Sequence, residues 1–443
     1  FIAISAAHQV RARAPQDPDA TYITGCVNIT SPGYYVVSSN IEGAQITGYC
    51  IGVFASDVVL DGGGHVLSGG GLGIGLSGGG SGIGIYVAPG STNVTIEDVT
   101  VTSYSTGIFV NSSGVRIANS IVWDNKHDVV VVGSYDSIVN STLSISSVGY
   151  SVVNITGSHD SVVHSSINSN GYGPGVVIAG SYDAVVDSTL SDNWDGVIIV
   201  GYNNSVVNST LSRNVYGVVI TGYNNSVVNS TLSRNAYGGV RINGSSNRIV
   251  GDRFVWGDLV LAGPYYEVVA NDTINGRPLV YLYDASNVTV SGAGEVVAVD
   301  SRGVKVVGAN VSYATVGIQF WDVNDSIIED VVAFDNELVG INITGSHNSV
   351  VDSTLNGSSA VITGSHNSIV NSTLSGSWAG AIITGDYNSV VDSTVSHNEY
   401  GVRINGSYDS VVNSTLSNNS RDGVRITGSH DIVVDSTLSG NEW

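Results

Sequence analysis

The chain has 443 residues, of which 15 are Lys or Arg against 37 Asp and Glu, for a formal charge of −22. A surface of that sign repels phosphate backbones, which excludes nucleic acid as a partner. With 56 Gly, no Met and abundant Val, Ile, Thr and Tyr, the composition suits strands and excludes a helical protein.

The first element is an apolar stretch, Phe1–Ala7, tethered by Pro15-Gln16-Asp17-Pro18. Residues 1–20 read as a tail and Pro-rich linker, in which Phe1, Ile2, Ala3 and Ile4 form a strand that adds to a neighbouring molecule's sheet edge. A start at Phe1 fits a processed, secreted protein. No window approaches the roughly 18 apolar residues of a membrane span, so no transmembrane segment is expected. Two cysteines follow, Cys26 and Cys50, which are inert core thiols in a reducing compartment and a disulfide outside the cell. With the signs of secretion they are expected to be joined, 24 residues or about one coil apart.

Residues 21–250 read as an N-terminal cap and regular coils. Corresponding glycines fall at Gly133, Gly157, Gly180, Gly201, Gly222 and Gly244, and again at Gly345, Gly364, Gly385, Gly406 and Gly428. A period near 21 residues, built of short β-prone runs between Gly, Asn and Ser, marks a solenoid with two or three strands per coil. Parallel sheets would then stack coils about 4.8 Å apart. Alternation places Val206, Leu211, Val218 and Ile220 inside, with Val227, Leu232, Val240 and Ile242 stacked on them. Arg241, Arg403 and Arg425 point out, and so does a column of Val207, Val228, Val351, Val370, Val391 and Val412. Residues 251–300, with Trp256, Pro264 and Pro278, interrupt the period and read as an irregular coil or insert. Residues 301–443 resume it as C-terminal coils, the last leaving an apolar face lined by Val434 and Leu438.

The run Cys26…Ser31-Pro32-Gly33-Tyr34-Tyr35-Val36-Val37…Cys50-Ile51…Val58-Val59-Leu60-Asp61-Gly62…Gly64-His65 resembles the opening of right-handed parallel β-helix proteins of the periplasmic copper-binding type, common on archaeal cell surfaces. Asn275-Gly276-Arg277-Pro278-Leu279-Val280-Tyr281 and Asn287-Val288-Thr289-Val290 are similar to that family's interrupted middle coil. The resemblance implies an all-β, right-handed parallel β-helix of about 21–22 residues per coil at an extracellular location. The fold alone carries lyases, hydrolases, sensors and inert surface proteins. Copper finds no support in the residues, because soft copper sites favour Met and Cys. His159, His347, His366 and His430 share one repeat position with Tyr135, Tyr182, Tyr387 and Tyr408, the pattern of a stacking column rather than a ligand set. No metal or cofactor is expected.

Polysaccharide hydrolases built on this fold need carboxylates clustered on one coil face. The sequence has no Asp-Asp, Gly-His-Gly or Arg-Ile-Lys. Its densest charged hexapeptide, Trp123-Asp124-Asn125-Lys126-His127-Asp128, reads as a solvated turn. The expectation is therefore a protein that performs no chemistry.

Asparagine carries the remaining signal. The acceptor sequon Asn-x-Ser/Thr begins at Asn28, Asn93, Asn111, Asn140, Asn154, Asn203, Asn208, Asn224, Asn229, Asn243, Asn271, Asn287, Asn310, Asn324, Asn342, Asn356, Asn371, Asn405, Asn413 and Asn418. Chance supplies roughly 8, although repeats inflate the count and Asn and Ser also build turns. Asn154 and Asn342 sit between apolar residues and should point outward in mid-strand. Asp352, Asn371, Asp392, Asn413 and Asp435 alternate down one column, which doubles the spacing available to a sugar. These features point to a structural subunit of an extracellular, N-glycosylated cell-surface filament or layer, polymerising head-to-tail through its tail. The alternative is a secreted β-helix that binds or cleaves carbohydrate. A groove lined by exposed carboxylates and aromatics would favour the second.

Overall fold

The computed structural model describes residues 19–42, 48–70, 82–144, 149–168 and 171–442. Their regular structure is entirely β-strand, and they contain no helix long and apolar enough to cross a membrane. One coil runs through Asp195–Ile199, Ser205–Val207 and Thr210–Ser212 before Tyr216–Ile220 opens the next. Each strand pairs in parallel and in register with its counterpart one coil on, as in Val206↔Val227, Leu211↔Leu232 and Val218↔Val240. The protein is a parallel β-solenoid whose coils present three faces: one of longer strands, one of Ser-Val-Val strands and one of Thr-Leu-Ser strands.

Alternation assigns the interior correctly. Val206, Leu211, Val218 and Ile220 are fully buried and touch the same residue types above and below. The column from Val207 to Val412 faces outward yet is partly buried, because valines of adjacent coils cover one another. Corners are turned by left-handed residues, three of them in a single coil: Asn203 at φ 57°, Asn208 at 50° and Arg213 at 55°. Asn and Asp tolerate that conformation best, which is why they crowd the corners.

The repeat glycine has a separate, steric cause. A Cβ on Gly157 would lie 1.4 Å from the carbonyl oxygen of Gly133, and one on Gly222 would lie 1.8 Å from that of Gly201. Any side chain at this corner would pierce the preceding coil. The glycine period in the sequence is thus the coil period of the structure.

Cys26 and Cys50 are joined, with their Cα atoms 4.5 Å apart. Replacing both by Ser should remove about 3 kcal/mol of loop-closure stabilisation. It should also speed amide exchange in Val27–Ile29 and Tyr49–Val53, and unchanged exchange there would refute a pinning role for the bond.

Residues 251–300, expected as an irregular coil, are where the chain changes stacks. The first stack holds a 12-stranded Ser-Val-Val sheet, from Ala20–Ile23 to Val268–Ala270, and an 11-stranded sheet of longer strands ending at Leu259–Leu261. Its last strand, Thr273–Ile274, reverses through Asn275 (φ 49°) and Gly276 (φ 80°) into the antiparallel strand Arg277–Tyr283. Two successive left-handed residues are what a two-residue hairpin turn requires. Arg277–Tyr283 then founds a second stack by pairing in parallel with Glu295–Val299, which pairs with Val316–Trp321.

Two hydrophobic cores result. Glu295–Val299 is buried on both faces: Val296 and Ala298 join the second core, whereas Val297 and Val299 join the first. The open end of the first stack is therefore covered by the flank of the second. At the far end of the second stack, Ile432, Val433 and Leu438 are about half exposed. There Val433, and not Val434 as expected, continues the inward column of Val411.

Candidate functional site

The joint between the stacks creates a surface cleft. Its walls are corner residues: Arg234 and Trp256 from the last coils of the first stack, Tyr313 and Asp335 from the first coils of the second. All four are left-handed, with φ between 46° and 59°. That conformation marks nearly every corner of this repeat, so here it is no sign of functional strain.

The cleft has room for about 220 Å³ between Arg234, Asn235, Trp256, Gly257, Tyr313, Thr315, Asp335 and Glu337. Trp256 and Tyr313 stack across the joint with ring centres 5.9 Å apart and planes 17° apart. The Arg234 guanidinium lies 5.7 Å from the Trp256 ring, and Phe334 meets Tyr313 edge-on at 5.6 Å. Trp256 nevertheless remains 57% exposed, which is unusual for so large an apolar group.

The floor is held by polar groups that bridge the two stacks. Asp258, fully buried beside Gly257, accepts the Thr315 and Val316 N–H groups through Oδ2 at 3.0 and 2.7 Å. Burial pushes its carboxyl up to about 6, against the pull of those hydrogen bonds. Trp256 N–H donates to Asn275 Oδ1, and Asn275 Nδ2 donates to the Ser312 carbonyl. Chemically the cleft offers aromatic surface, amide and hydroxyl hydrogen-bonding groups and the carboxyls of Asp335 and Glu337. Its volume falls below the roughly 300–1,000 Å³ of drug-sized sites, so it suits one small ring at a time.

The residues singled out in the sequence lie elsewhere. Asp128 is wholly buried, accepting from Asn125 Nδ2 and Ser144 N–H, and desolvation raises its carboxyl well above the usual range. His127 Nδ1 contacts the Ser151 carbonyl, its ring packs edge-on against Tyr150, and burial lowers its pKa. This hexapeptide is a packed corner. The His and Tyr column is a stack: His347–His366–Tyr387–Tyr408–His430 runs at ring spacings of 4.7–5.0 Å. Tyr135, His159 and Tyr182 repeat it in the first stack.

None of the twenty sequon asparagines is buried, whereas thirteen other asparagines, Asn204 and Asn225 among them, are. Strand alternation accounts for part of the partition: two residues after inward Asn204 and Asn225 come the inward Val206 and Val227, which complete no sequon, while Thr156 lies exposed two after Asn154. In the alternating column, Asn371 Nδ2 donates to Asp352 Oδ1, so the nitrogen a glycan would use is already bonded to the preceding coil. Phe1, Ile2, Ala3 and Ile4 lie outside the described residues, and a head-to-tail filament draws no support from the geometry.

Comparison with known proteins places the fold. Residues 83–254 match the family model described as the right-handed β-helix region. The chain has the fold of a right-handed parallel β-helix. The match is to this broad class and not to the copper-binding archaeal type that the opening resembles. No curated protein matches the sequence. Among solved structures, an Escherichia coli bacteriophage tailspike protein in complex with a hexasaccharide aligns over 94% of this chain and 73% of its own, at 11% identity and a TM-score of 0.41. A DFA-IIIase from Arthrobacter chlorophenolicus aligns over 72% of this chain and 70% of its own, at 11% identity and 0.38. A pectate lyase covers 49% of this chain and 70% of its own, at 14% identity and 0.29. These likenesses are of fold alone. The expectation of a protein that performs no chemistry does not stand, because this fold carries lyases and hydrolases as readily as inert surface proteins. Missing motif words of one hydrolase group were too narrow a ground for it.

Proposed function

We propose that the protein binds carbohydrate, with a sugar ring seated in the cleft at the joint of the two stacks. The observation that carries this reading is the exposed Trp256–Tyr313 pair set among Arg234, Asp335 and Glu337. Sugars present apolar C–H faces and a rim of hydroxyls, and this cleft offers aromatic surface and hydrogen-bonding groups within one ring's width. The net charge of −22 favours neutral chains over polyuronates, which the molecule repels at long range.

The test is affinity electrophoresis against a panel of neutral, amino-sugar and uronate polysaccharides. Trp256→Ala should lose at least tenfold in affinity, corresponding to about 1.4 kcal/mol. Equal retardation of variant and parent by every polymer would refute the site. The same panel, scored for release of new chain ends, asks whether bound polymer is cut. Cleavage lost in Asp335→Asn or Glu337→Gln with binding intact would assign the chemistry to those carboxyls.

A further inference from the structure

Three residues after each repeat glycine, a short polar side chain points into the first stack. It is Asn204, Asn225 and Asn247 in the later coils but Asp136, Asp160 and Asp183 in the earlier ones, all at most 3% exposed. One oxygen does the same work in both sets. Asp160 Oδ1 accepts the Asp136 N–H at 2.7 Å, Asp183 Oδ1 accepts that of Asp160 at 2.8 Å, and Asn225 Oδ1 accepts that of Asn204 at 2.9 Å. The second atom differs. Asn204 Nδ2 and Asn225 Nδ2 donate to the carbonyls of Gly180 and Gly201, each at 3.1 Å. The Oδ2 atoms of Asp136, Asp160 and Asp183 have no hydrogen-bond partner.

Those oxygens nevertheless occupy the nitrogen's place. A Cβ on Gly201 would lie 1.7 Å from Gly180 O and 3.0 Å from Asn204 Nδ2; one on Gly157 would lie 1.4 Å from Gly133 O and 2.6 Å from Asp160 Oδ2. A carboxylate oxygen thus faces a carbonyl oxygen, two acceptors with no hydrogen between them. The packing space bordered by Asp136 and Asp160, among Val110, Ile117, Ile138 and Ile155, has no room for a water-sized sphere. A bridging water does not fit, and among the described residues no three His, Cys, Asp or Glu side chains converge to hold a metal ion. A proton fits.

We propose that Asp136, Asp160 and Asp183 are neutral carboxylic acids in the folded stack, their Oδ2–H groups donating to the carbonyls of Ser112, Gly133 and Gly157, and that this ladder makes the first stack a pH-responsive element. Desolvation pushes Asp136 and Asp160 up to about 7 and Asp183 up to about 6, in each case against a backbone hydrogen bond that favours the anion. Asp160 is raised further by the two carboxyls flanking it, and Asp183 is eased by His159 on the outer side of the corner. The adjoining strand residues Ser137, Ser161 and Ala184 bring no charge, and Arg116 on the preceding strand points outward. The second stack repeats the arrangement at Asp409, whose Oδ2 is likewise unpartnered and whose carboxyl is raised by burial and by Asp431 and Asp386.

Folded pKa values above the unfolded range mean that the native state keeps protons which the unfolded chain releases. Stability from the ladder is full below about pH 4 and is lost as pH rises through about 7. The experiment compares the whole chain with a variant carrying Asp136→Asn, Asp160→Asn and Asp183→Asn, unfolded in guanidinium from pH 4 to pH 8.5. The variant should show a shallower loss of stability, by up to three protons in linkage slope, and should exceed the parent at pH 8.5. Other buried carboxyls, such as Asp252 and Glu267, remain in both proteins and cancel in the difference. Infrared spectra at pH 5 should show un-ionised carboxyl absorption in the parent that is reduced in the variant. Identical pH slopes, or equal carboxyl absorption, would overturn the proposal. Should the triple variant misfold, Asp160→Asn alone must still remove about one proton from the slope.

Discussion

Gly157→Ala is expected to be among the most destabilising single substitutions this chain can suffer, costing about 3 kcal/mol or more, at the top of the range for overpacked sites. The added methyl would lie 1.4 Å from the Gly133 carbonyl oxygen and 2.6 Å from Asp160 Oδ2. Rotamer adjustment cannot relieve it, because the obstacle is backbone of the preceding coil, itself held by parallel pairing. Relief requires the two coils to separate at that corner. Stability in a stack is a sum of nearest-neighbour interfaces, so the damage should begin between these coils and spread outward. Amide exchange should accelerate first in Val129–Val131 and Val153–Ile155, ahead of any fall in the melting temperature. The control is Gly171→Ala, whose methyl meets nothing within 4 Å. If the two variants melt alike, the glycine column is not what sets the coil approach.

That column is also why so much of the fold was legible. The carbonyl-to-Cα approach recurs once per coil, so Gly recurs once per coil, and the inward set of Val206, Leu211, Val218 and Ile220 follows from period-two alternation between the corners. The ring column was equally readable, since His and Tyr interchange only where stacking, and not metal ligation, is the requirement. The change of stack was not recognised, although it was written in Asn275-Gly276, a pair suited to a two-residue hairpin. The broken period over residues 251–300 marks an interruption but not its nature, because an insert, an irregular coil and a reversal break it alike. Glu295–Val299 held a second clue, with four consecutive apolar residues, Val296 to Val299, in place of alternation; such a run belongs to a strand covered on both faces. The cleft stayed hidden for a different reason. Trp256 and Tyr313 are 57 residues apart, and each fills an ordinary corner position that Asn, Asp or Arg fills elsewhere. Only the reversal brings them together.

Gln319→Ala should uncouple the two stacks. Gln319 lies on the outer face of the second stack, where a solenoid residue would ordinarily meet water, yet it is 1% exposed. Its Nε2 donates to the Leu259 carbonyl and to Glu295 Oε1, and its Oε1 accepts the Leu261 N–H at 3.1 Å. Glu295 Oε2 accepts the Leu259 N–H at 3.2 Å. Two side chains thus supply the hydrogen bonds that another coil would have given to the strand Leu259–Leu261. Truncation leaves the Leu259 carbonyl, the Leu261 N–H and Glu295 Oε1 without this partner. At about 1–3 kcal/mol for each buried polar group left unsatisfied, the joint loses on the order of 3 kcal/mol or more. Amide exchange at Leu261 should rise about a hundredfold, while Leu211 and Leu232, deep in the first stack, exchange as before. A uniform change across the first stack would mean that the joint is not an independent unit. The consequence reaches the cleft, because Tyr313 and Thr315 keep their distance from Trp256 only while the second stack stays seated on the first. Sugar binding in Gln319→Ala should therefore weaken although no cleft residue has been altered, and intact binding with a loosened Leu261 would place the sugar elsewhere on the molecule.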